Sequence, residues 1–166
     1  MSDPAEEPAG AASAASSGGP PANIVEVGGK DVGERIAVAE CVLSTTPEAC
    51  AALVAGTRKG NPLEAAKVAG LMAAKRTPEL LPYCHPIAVT SATVVVEPDA
   101  GAGRIRVEAT VKAMDRTGVE MEALTAAAVA ALSVYDATKQ FDRSAEISGL
   151  HLVSKSGGKS GDYRRA

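Results

Sequence analysis

The sequence predicts an α+β fold in which an antiparallel sheet carries its helices on one face. Runs of β-branched residues alternate with three Ala-rich helical segments, and a glycine-rich turn joins two of the runs as a hairpin. The segments follow one another in the order β-α-α-β-β-α-β, which is typical of α+β domains. A length of 166 residues suits one domain that buries its own core.

The first half of the chain supplies one strand and two helices. Residues 35–44 place apolar side chains at even spacing, which indicates a strand. A short helix over 47–56 has proline in its first turn and glycine at its end. A basic loop follows, and Asn61 is then a good cap for a second helix over about 62–76.

The second half supplies a hairpin, a long helix and a last strand. Two β-branched runs, 87–97 and 103–114, flank the glycine-rich turn. A long Ala-rich helix should cover about 119–141, and a strand should cover 147–154. Residues 155–166 are rich in glycine and lysine and are expected to be flexible.

Merging the two early helices leaves β-α-β-β-α-β, the ferredoxin-like order. The helices of that arrangement cover one sheet face only. Because the strands carry apolar residues on both faces in places, we expect another subunit to cover the second face, so that sheets pair between subunits.

Residues 1–22 consist mostly of Ala, Gly, Pro and Ser, so we interpret them as a disordered tail before a single domain over 23–166. The net charge of −3 is accounted for by three acids of the tail, and the rest of the chain is neutral. A neutral body does not suit duplex DNA binding, and an aromatic content of 2% disfavours base stacking on single strands.

The cysteines and the hydropathy pattern point to the cytoplasm. Cys41, Cys50 and Cys84 are odd in number and lack paired spacing, which argues against both a disulfide framework and a structural zinc site. We find no stretch typical of a signal peptide or of a membrane span. With two histidines, a multi-histidine metal site is also excluded.

The long helix carries the first candidate site residues. Asp136 and Lys139 are three residues apart and therefore share one face. Such a pair is commonly a weak surface ion pair, but it could also be a carboxylate and an ammonium at the edge of a site. Lys59 stands near a predicted helix N-terminus, which attracts anions. A lysine near other cations has a lowered pKa and can act as an acid–base group.

The segment Lys155–Gly161 combines flexible glycine amides with two ammonium groups, which suits phosphate binding. Its Gly158-Lys159-Ser160 matches the end of an NTPase phosphate loop, but Val153 stands where that motif needs glycine. The alternative is a frayed terminus. His85, held in an extended loop by Pro86, could donate to a ligand or transfer a proton.

Six strings of residues, taken in order and spacing, resemble the MoaC family of cyclic pyranopterin monophosphate synthases over about residues 23–163. They are Lys59-Gly60; Ala69-Gly70 with Ala74-Lys75-Arg76-Thr77; Cys84-His85-Pro86; Thr117-Gly118-Val119-Glu120-Met121-Glu122-Ala123-Leu124; Tyr135-Asp136 with Lys139; and Lys155-Ser156-Gly157-Gly158-Lys159-Ser160-Gly161-Asp162.

The resemblance implies a phosphorus–oxygen lyase of molybdenum cofactor biosynthesis. Its substrate is a cyclised dihydro-GTP made by an upstream radical-SAM enzyme. The lyase rearranges the purine-derived part into a pyranopterin, forms a cyclic phosphate and releases pyrophosphate. The resemblance also implies a ferredoxin-like fold and a hexamer, built as a trimer of dimers with sites between subunits. No cofactor is required on this interpretation, and the sequence leaves open whether Mg²⁺ accompanies the triphosphate.

The resemblance also assigns residues. Asp136 matches the catalytic aspartate, and Lys59 and Lys139 match the acid–base lysines. The residues matched to substrate contacts are Tyr83, Cys84, His85, Glu120, Met121, Glu122, Lys75, Lys155 and Arg35. This chain departs from the family's usual pattern at Tyr83, at Gly28-Gly29, at Gly33 and at Asn61-Pro62. Two alternatives to the lyase are a non-enzymatic nucleotide-binding module and, less favoured by charge, an RNA-binding domain.

Overall fold

A computed structural model describes residues 22–159 and 161–166. Apart from Ala22, the expected disordered tail over 1–22 lies outside the described residues. The elements run in the order β1 (Gly33–Ser44), α1 (Pro47–Ala55), α2 (Pro62–Leu80), β2 (Val89–Asp99), β3 (Arg104–Asp115), α3 (Glu120–Thr138), β4 (Glu146–Ser156) and β5 (Tyr163–Arg164).

The strands form one antiparallel sheet in the order β2-β3-β1-β4-β5. The first four strands have the ferredoxin-like topology, so the predicted α+β class is confirmed. β1 pairs with β3 along its whole length, from Gly33 opposite Asp115 to Ser44 opposite Arg104. Residues of β1 are alternately buried and half-buried, because the helices pack on one face and leave the other open.

Small side chains bring the two long helices close together. The buried stripe of α3 is mostly alanine, including Ala126 and Ala130. Gly70 of α2 faces this stripe, and a Cβ added there would lie 2.9 Å from the Ala126 carbonyl oxygen. This close approach lets Ala and Val fill the core of a chain that is nearly free of aromatic residues.

Helix α2 continues beyond the predicted end at residue 76 and includes Pro78. A proline at this position removes the amide hydrogen bond to the Ala74 carbonyl. The fully buried Thr77 hydroxyl donates to that carbonyl at 3.3 Å and to Ala73 at 3.1 Å. Because the side chain replaces the missing donor, the helix persists, and the prediction that it stops at Arg76 was wrong.

The C-terminal region is more regular than predicted. β4 extends to Ser156, so Lys155 belongs to a strand and not to the glycine-rich segment after it. Beyond the glycines, the short strand β5 pairs with β4, with Tyr163 opposite Lys155, and the sequence pattern did not predict this strand. Helix α3 ends at Thr138, three residues before the predicted end.

The open sheet face carries a charged cluster among half-buried aliphatic side chains. The guanidinium of Arg106 contacts the carboxylates of Glu40, Glu97 and Glu108, and His151 Nε2 lies 3.4 Å from Glu40. Glu40 and Glu108 are direct cross-strand neighbours, which would repel each other without the arginine between them.

Candidate active site

The predicted site residues gather at the two ends of α3. Its amino end borders two adjoining cavities, and its carboxyl end borders a third. Glu120 and Asp136, at opposite ends, are separated by about 24 Å along the helix axis. We call these regions the amino-end site and the carboxyl-end site.

The carboxyl-end site is a cavity of about 710 Å³ between the α1–α2 loop and the last turns of α3. Lys59, Asp136 and Lys139 all line it. The Lys139 Nζ lies 2.6 Å from Asp136 Oδ1, and both side chains are more than half exposed. The structure therefore brings the three predicted catalytic residues to one open cavity.

A tight turn presents Lys59 to this cavity. Thr57 and Gly60 exchange backbone hydrogen bonds of 2.9 and 3.0 Å, and the positive φ of 107° at Gly60 suits glycine. Asn61 then caps α2 by accepting from the amides of Leu63 and Glu64. The turn and the cap follow from local residue types, which is why the sequence predicted this corner well.

The ion pair determines the protonation states at this end. The hydrogen bond and charge of Lys139 lower the pKa of Asp136, and Lys59 lowers it further. Asp136 in turn raises the pKa of Lys139. This is opposite to the lowered lysine pKa expected from neighbouring cations. In the single chain Asp136 therefore favours the protonated form of Lys139.

The amino-end site includes a strongly cationic cavity of about 660 Å³. Its basic lining residues are Lys30, Arg35, Arg116, Lys155 and Lys159. The Nζ of Lys155 donates to Glu120 Oε1 at 2.8 Å, and both side chains are about one-quarter exposed. Cations gathered around a concave backbone segment suit a phosphate chain.

Arg35 forms the floor of this cavity. It is 8% exposed, and its Nε donates to the Asp115 carbonyl at 2.9 Å. Gly157 and Gly158, both at positive φ, pass directly over it: a Cβ on Gly157 would lie 2.0 Å from the Glu34 carbonyl oxygen. The two glycines are needed here because only glycine can approach β1 so closely.

A second, mainly apolar cavity of about 540 Å³ adjoins the cationic one. Tyr83, Cys84, His85 and Met121 line it. The segment Thr117–Glu120 borders both cavities, because Thr117, Gly118 and Glu120 line each of them. The amino-end site therefore offers one continuous surface with a cationic part and an apolar part.

Glu122 lies beneath the apolar cavity and is 1% exposed. Its Oε1 accepts from the Cys84 thiol at 3.6 Å, while its Oε2 is buried without a hydrogen-bond partner among the described residues. Burial raises the pKa of Glu122, and burial together with Glu122 raises the pKa of Cys84 to about 11. Both groups are thereby biased toward their neutral forms.

Comparison with known proteins identifies the family of this chain. The family model described as the MoaC family matches residues 24–158. The chain belongs to the MoaC family. Relatives named cyclic pyranopterin monophosphate synthase include one from Brucella ovis, 49% identical over 86% of this chain and 87% of its own length. Another, from Desulforapulum autotrophicum, is 49% identical over 84% of this chain and 86% of its own length.

Within this MoaC-family chain, the structure separates one predicted site residue from the rest. Lys75 is exposed on α2 and lines none of the three cavities. Arg116, by contrast, lines the cationic cavity and was not singled out from the sequence. It directly follows β3 and directly precedes the Thr117–Leu124 string, and this position is the signal that could have identified it.

Residues 22–159 and 161–166 contain neither a metal-binding cluster nor a membrane-spanning helix. In that part of the chain, no three His, Cys, Asp or Glu side chains are grouped so that they could hold a metal ion. No helix there has the length and apolar character needed to cross a membrane.

Proposed function

We propose that this chain converts a cyclised dihydro-GTP into cyclic pyranopterin monophosphate with release of pyrophosphate, as a lyase of molybdenum cofactor biosynthesis. One observation carries the proposal. The cationic cavity and the apolar cavity share the Thr117–Glu120 segment as a wall, which suits a ligand with a phosphate chain and a ring. The name of the relatives, cyclic pyranopterin monophosphate synthase, supports the same product.

At the amino-end site, charge would act on the phosphate chain. Formation of the cyclic phosphate requires a sugar oxygen to attack the α-phosphorus while the bond to pyrophosphate breaks. Negative charge then accumulates on the leaving group, and Arg35 and Lys155 are placed to stabilise it. We propose that Lys75 contributes only if a second chain brings it to the cavity.

At the carboxyl-end site, Asp136, Lys59 and Lys139 would move the protons of the ring rearrangement. Since Asp136 keeps Lys139 protonated, Lys139 fits the role of general acid. Lys59, on its tight turn, lines the same cavity, and its charge acts on Asp136. We assign these roles from the arrangement of charge around the cavity.

The distance between the two sites supports an oligomer. One substrate has to contact both, yet they are about 24 Å apart along α3 in one chain. We propose that the amino-end site of one subunit faces the carboxyl-end site of another, within a hexamer built as a trimer of dimers. The half-buried aliphatic residues of the open sheet face support sheet-to-sheet pairing in this assembly.

Turnover tests the function directly. The purified protein is given the cyclised dihydro-GTP product of the upstream radical-SAM enzyme, and pyrophosphate and pterin are measured. We expect turnover without an added cofactor in the wild type and a loss of about 10²–10⁴-fold in kcat for Asp136→Asn and Lys59→Ala. Lys67→Ala, at a half-buried position of α2 that lines none of the three cavities, is the control and should keep full activity.

Binding without turnover would instead indicate the second candidate, a non-enzymatic nucleotide-binding module. One observation favours it: in the single chain Lys139 is held in its charged form by Asp136, which suits binding better than proton abstraction. Chelation with EDTA tests whether turnover needs a metal ion. Unchanged turnover would support a reaction without a resident metal, and a loss restored by Mg²⁺ would show that the ion enters with the triphosphate.

We propose the cytoplasm as the compartment. All three cysteines are free, and Cys41 and Cys50 are buried thiols in the core. Free thiols suit a reducing environment, in which the upstream radical-SAM enzyme also has to work.

A further inference from the structure

The segment before β1 lies against the amino-end site and contacts a predicted substrate residue. The Val25 carbonyl oxygen is 2.7 Å from the His85 Nε2. A turn follows, in which the Lys30 amide donates to the Val27 carbonyl at 3.0 Å. We call residues 25–30 the strap.

Arg116 ties the strap to the β3–α3 turn. Its Nη1 donates to the Lys30 carbonyl at 2.7 Å and also to the Gly28 carbonyl. The Arg116 amide donates to Asp115 Oδ1 at 2.6 Å, which anchors the arginine at the end of β3. One guanidinium thus joins two elements that are about 86 residues apart in sequence.

The contact between Val25 and His85 has a chemical consequence. A carbonyl oxygen can only accept a hydrogen bond, so the Nε2 of a neutral His85 has to carry the proton. The Nδ1 then has a free lone pair and can only accept. The ring borders the apolar cavity, where the purine-derived part of the proposed substrate would lie. Such a ring carries N–H donors that an accepting nitrogen could recognise.

We propose that Arg116 is a positioning residue that holds the strap, so that the Val25 carbonyl sets the tautomer of His85 and leaves Nδ1 as an acceptor for an N–H of the purine-derived ring. This role deepens the proposed function and rests on it for the identity of the ring. The tautomer itself is a property of the free protein.

The chain has only two histidines, His85 and His151, which makes the tautomer directly measurable. Imidazole ¹⁵N spectra of the full-length protein at about pH 9, where histidine is ordinarily neutral, distinguish protonated from unprotonated ring nitrogens. A His85→Gln variant assigns the signals. In the wild type we expect His85 to carry its proton on Nε2.

Arg116→Gln removes the hydrogen bonds from the guanidinium to the Gly28 and Lys30 carbonyls and should leave the strap free to move. We expect exchange of the His85 ring proton with water to rise roughly five-fold, the factor of one ordinary hydrogen bond, with a loss of the single-tautomer spectrum. Arg116→Lys keeps a donor and should restore part of the effect. Arg104→Gln, at the other end of β3, is the matched control and should leave the His85 signals unchanged.

Two results would overturn the proposal. The first is a wild-type spectrum in which Nδ1 carries the proton. The second is an unchanged His85 spectrum in Arg116→Gln, and a raised KM in that variant would then make Arg116 a phosphate ligand instead. Because these spectra need no substrate, a failure of the proposed enzymatic function in the turnover assay would be seen separately from a failure here.

Discussion

Two arginines at the amino end of α3 are anchored to backbone carbonyls, whereas the charged side chains at its carboxyl end are anchored to each other. Arg35 and Arg116 donate to backbone carbonyls of neighbouring segments. Asp136 and Lys139 form one exposed ion pair three residues apart. The first arrangement presents a preorganised field for a phosphate chain, and the second leaves two groups free to exchange protons. The difference supports our proposal that binding and proton transfer are divided between the ends.

Mixing two inactive subunits would test this division with the largest effect. Asp136→Asn should inactivate the carboxyl-end site, and Lys155→Met should leave the amino-end site almost empty when the substrate is kept well below its raised KM. Because a site formed between subunits takes one end from each, random co-assembly of the co-expressed variants should restore about a quarter of wild-type activity. Activity is measured on the doubly tagged complex.

As a control, a chain that carries both substitutions is co-expressed with either single variant. Neither of these mixtures can build an intact site. If the mixed complex stays as inactive as each parent, both ends act within one chain and the proposed arrangement between subunits is wrong.

Removing one cation at the amino end should weaken binding without abolishing the chemistry. Lys155→Met removes a partly buried charge that contacts Glu120 and faces the cationic cavity. A charge-assisted contact contributes about 1.5–3 kcal/mol, so we expect KM to rise about ten- to one-hundred-fold. Steady-state kinetics check this, with Lys67→Met as control. An effect confined to kcat would contradict a ground-state role in phosphate binding.

The buried acid at the amino end predicts an unusual pH dependence of stability. Because the pKa of Glu122 is raised in the folded state, its contribution is fully present below its ordinary pKa of about 4.3 and is lost as pH rises through the folded value. Glu122→Gln lacks this loss, so its stability relative to wild type should increase as pH rises from about 4 towards neutrality. Urea unfolding across that range measures it, and parallel curves would show that Glu122 does not titrate as proposed.

Asp142, near the carboxyl end of α3, should have a smaller effect on the pH dependence of stability, and that effect should have the opposite sign. Asp142 accepts from the Ser144 and Thr45 hydroxyls at 2.6 and 2.7 Å, and these bonds lower its pKa to about 2. Its stabilisation is present above the ordinary aspartate pKa of about 3.9 and is lost as pH falls through about 2. Asp142→Asn should therefore lower Tm slightly at neutral pH, and the difference should shrink in acid. A Tm deficit independent of pH would contradict this account.

Local patterns in the sequence determined the elements, the antiparallel topology and the family strings, because caps, turns and strand periodicity depend on neighbouring residues. The Thr57–Asn61 corner that presents Lys59 is an example. Local rules failed where a distant or side-chain partner intervened. Thr77 supplied the donor that Pro78 lacks, and β5 formed because β4 offers it an edge.

Only the tertiary structure determined which of the candidate site residues lie next to one another. Spacing alone could not separate Lys75, which lies outside the cavities, from Lys155, which reaches Glu120 35 residues away. Nor could it show the partners of Arg116, which lie on a segment far earlier in the chain. The physical reason is the same in each case. A residue's type limits the chemistry that it can perform, but its partners are set by how strands and helices pack, and this packing depends on contacts between residues distant in sequence.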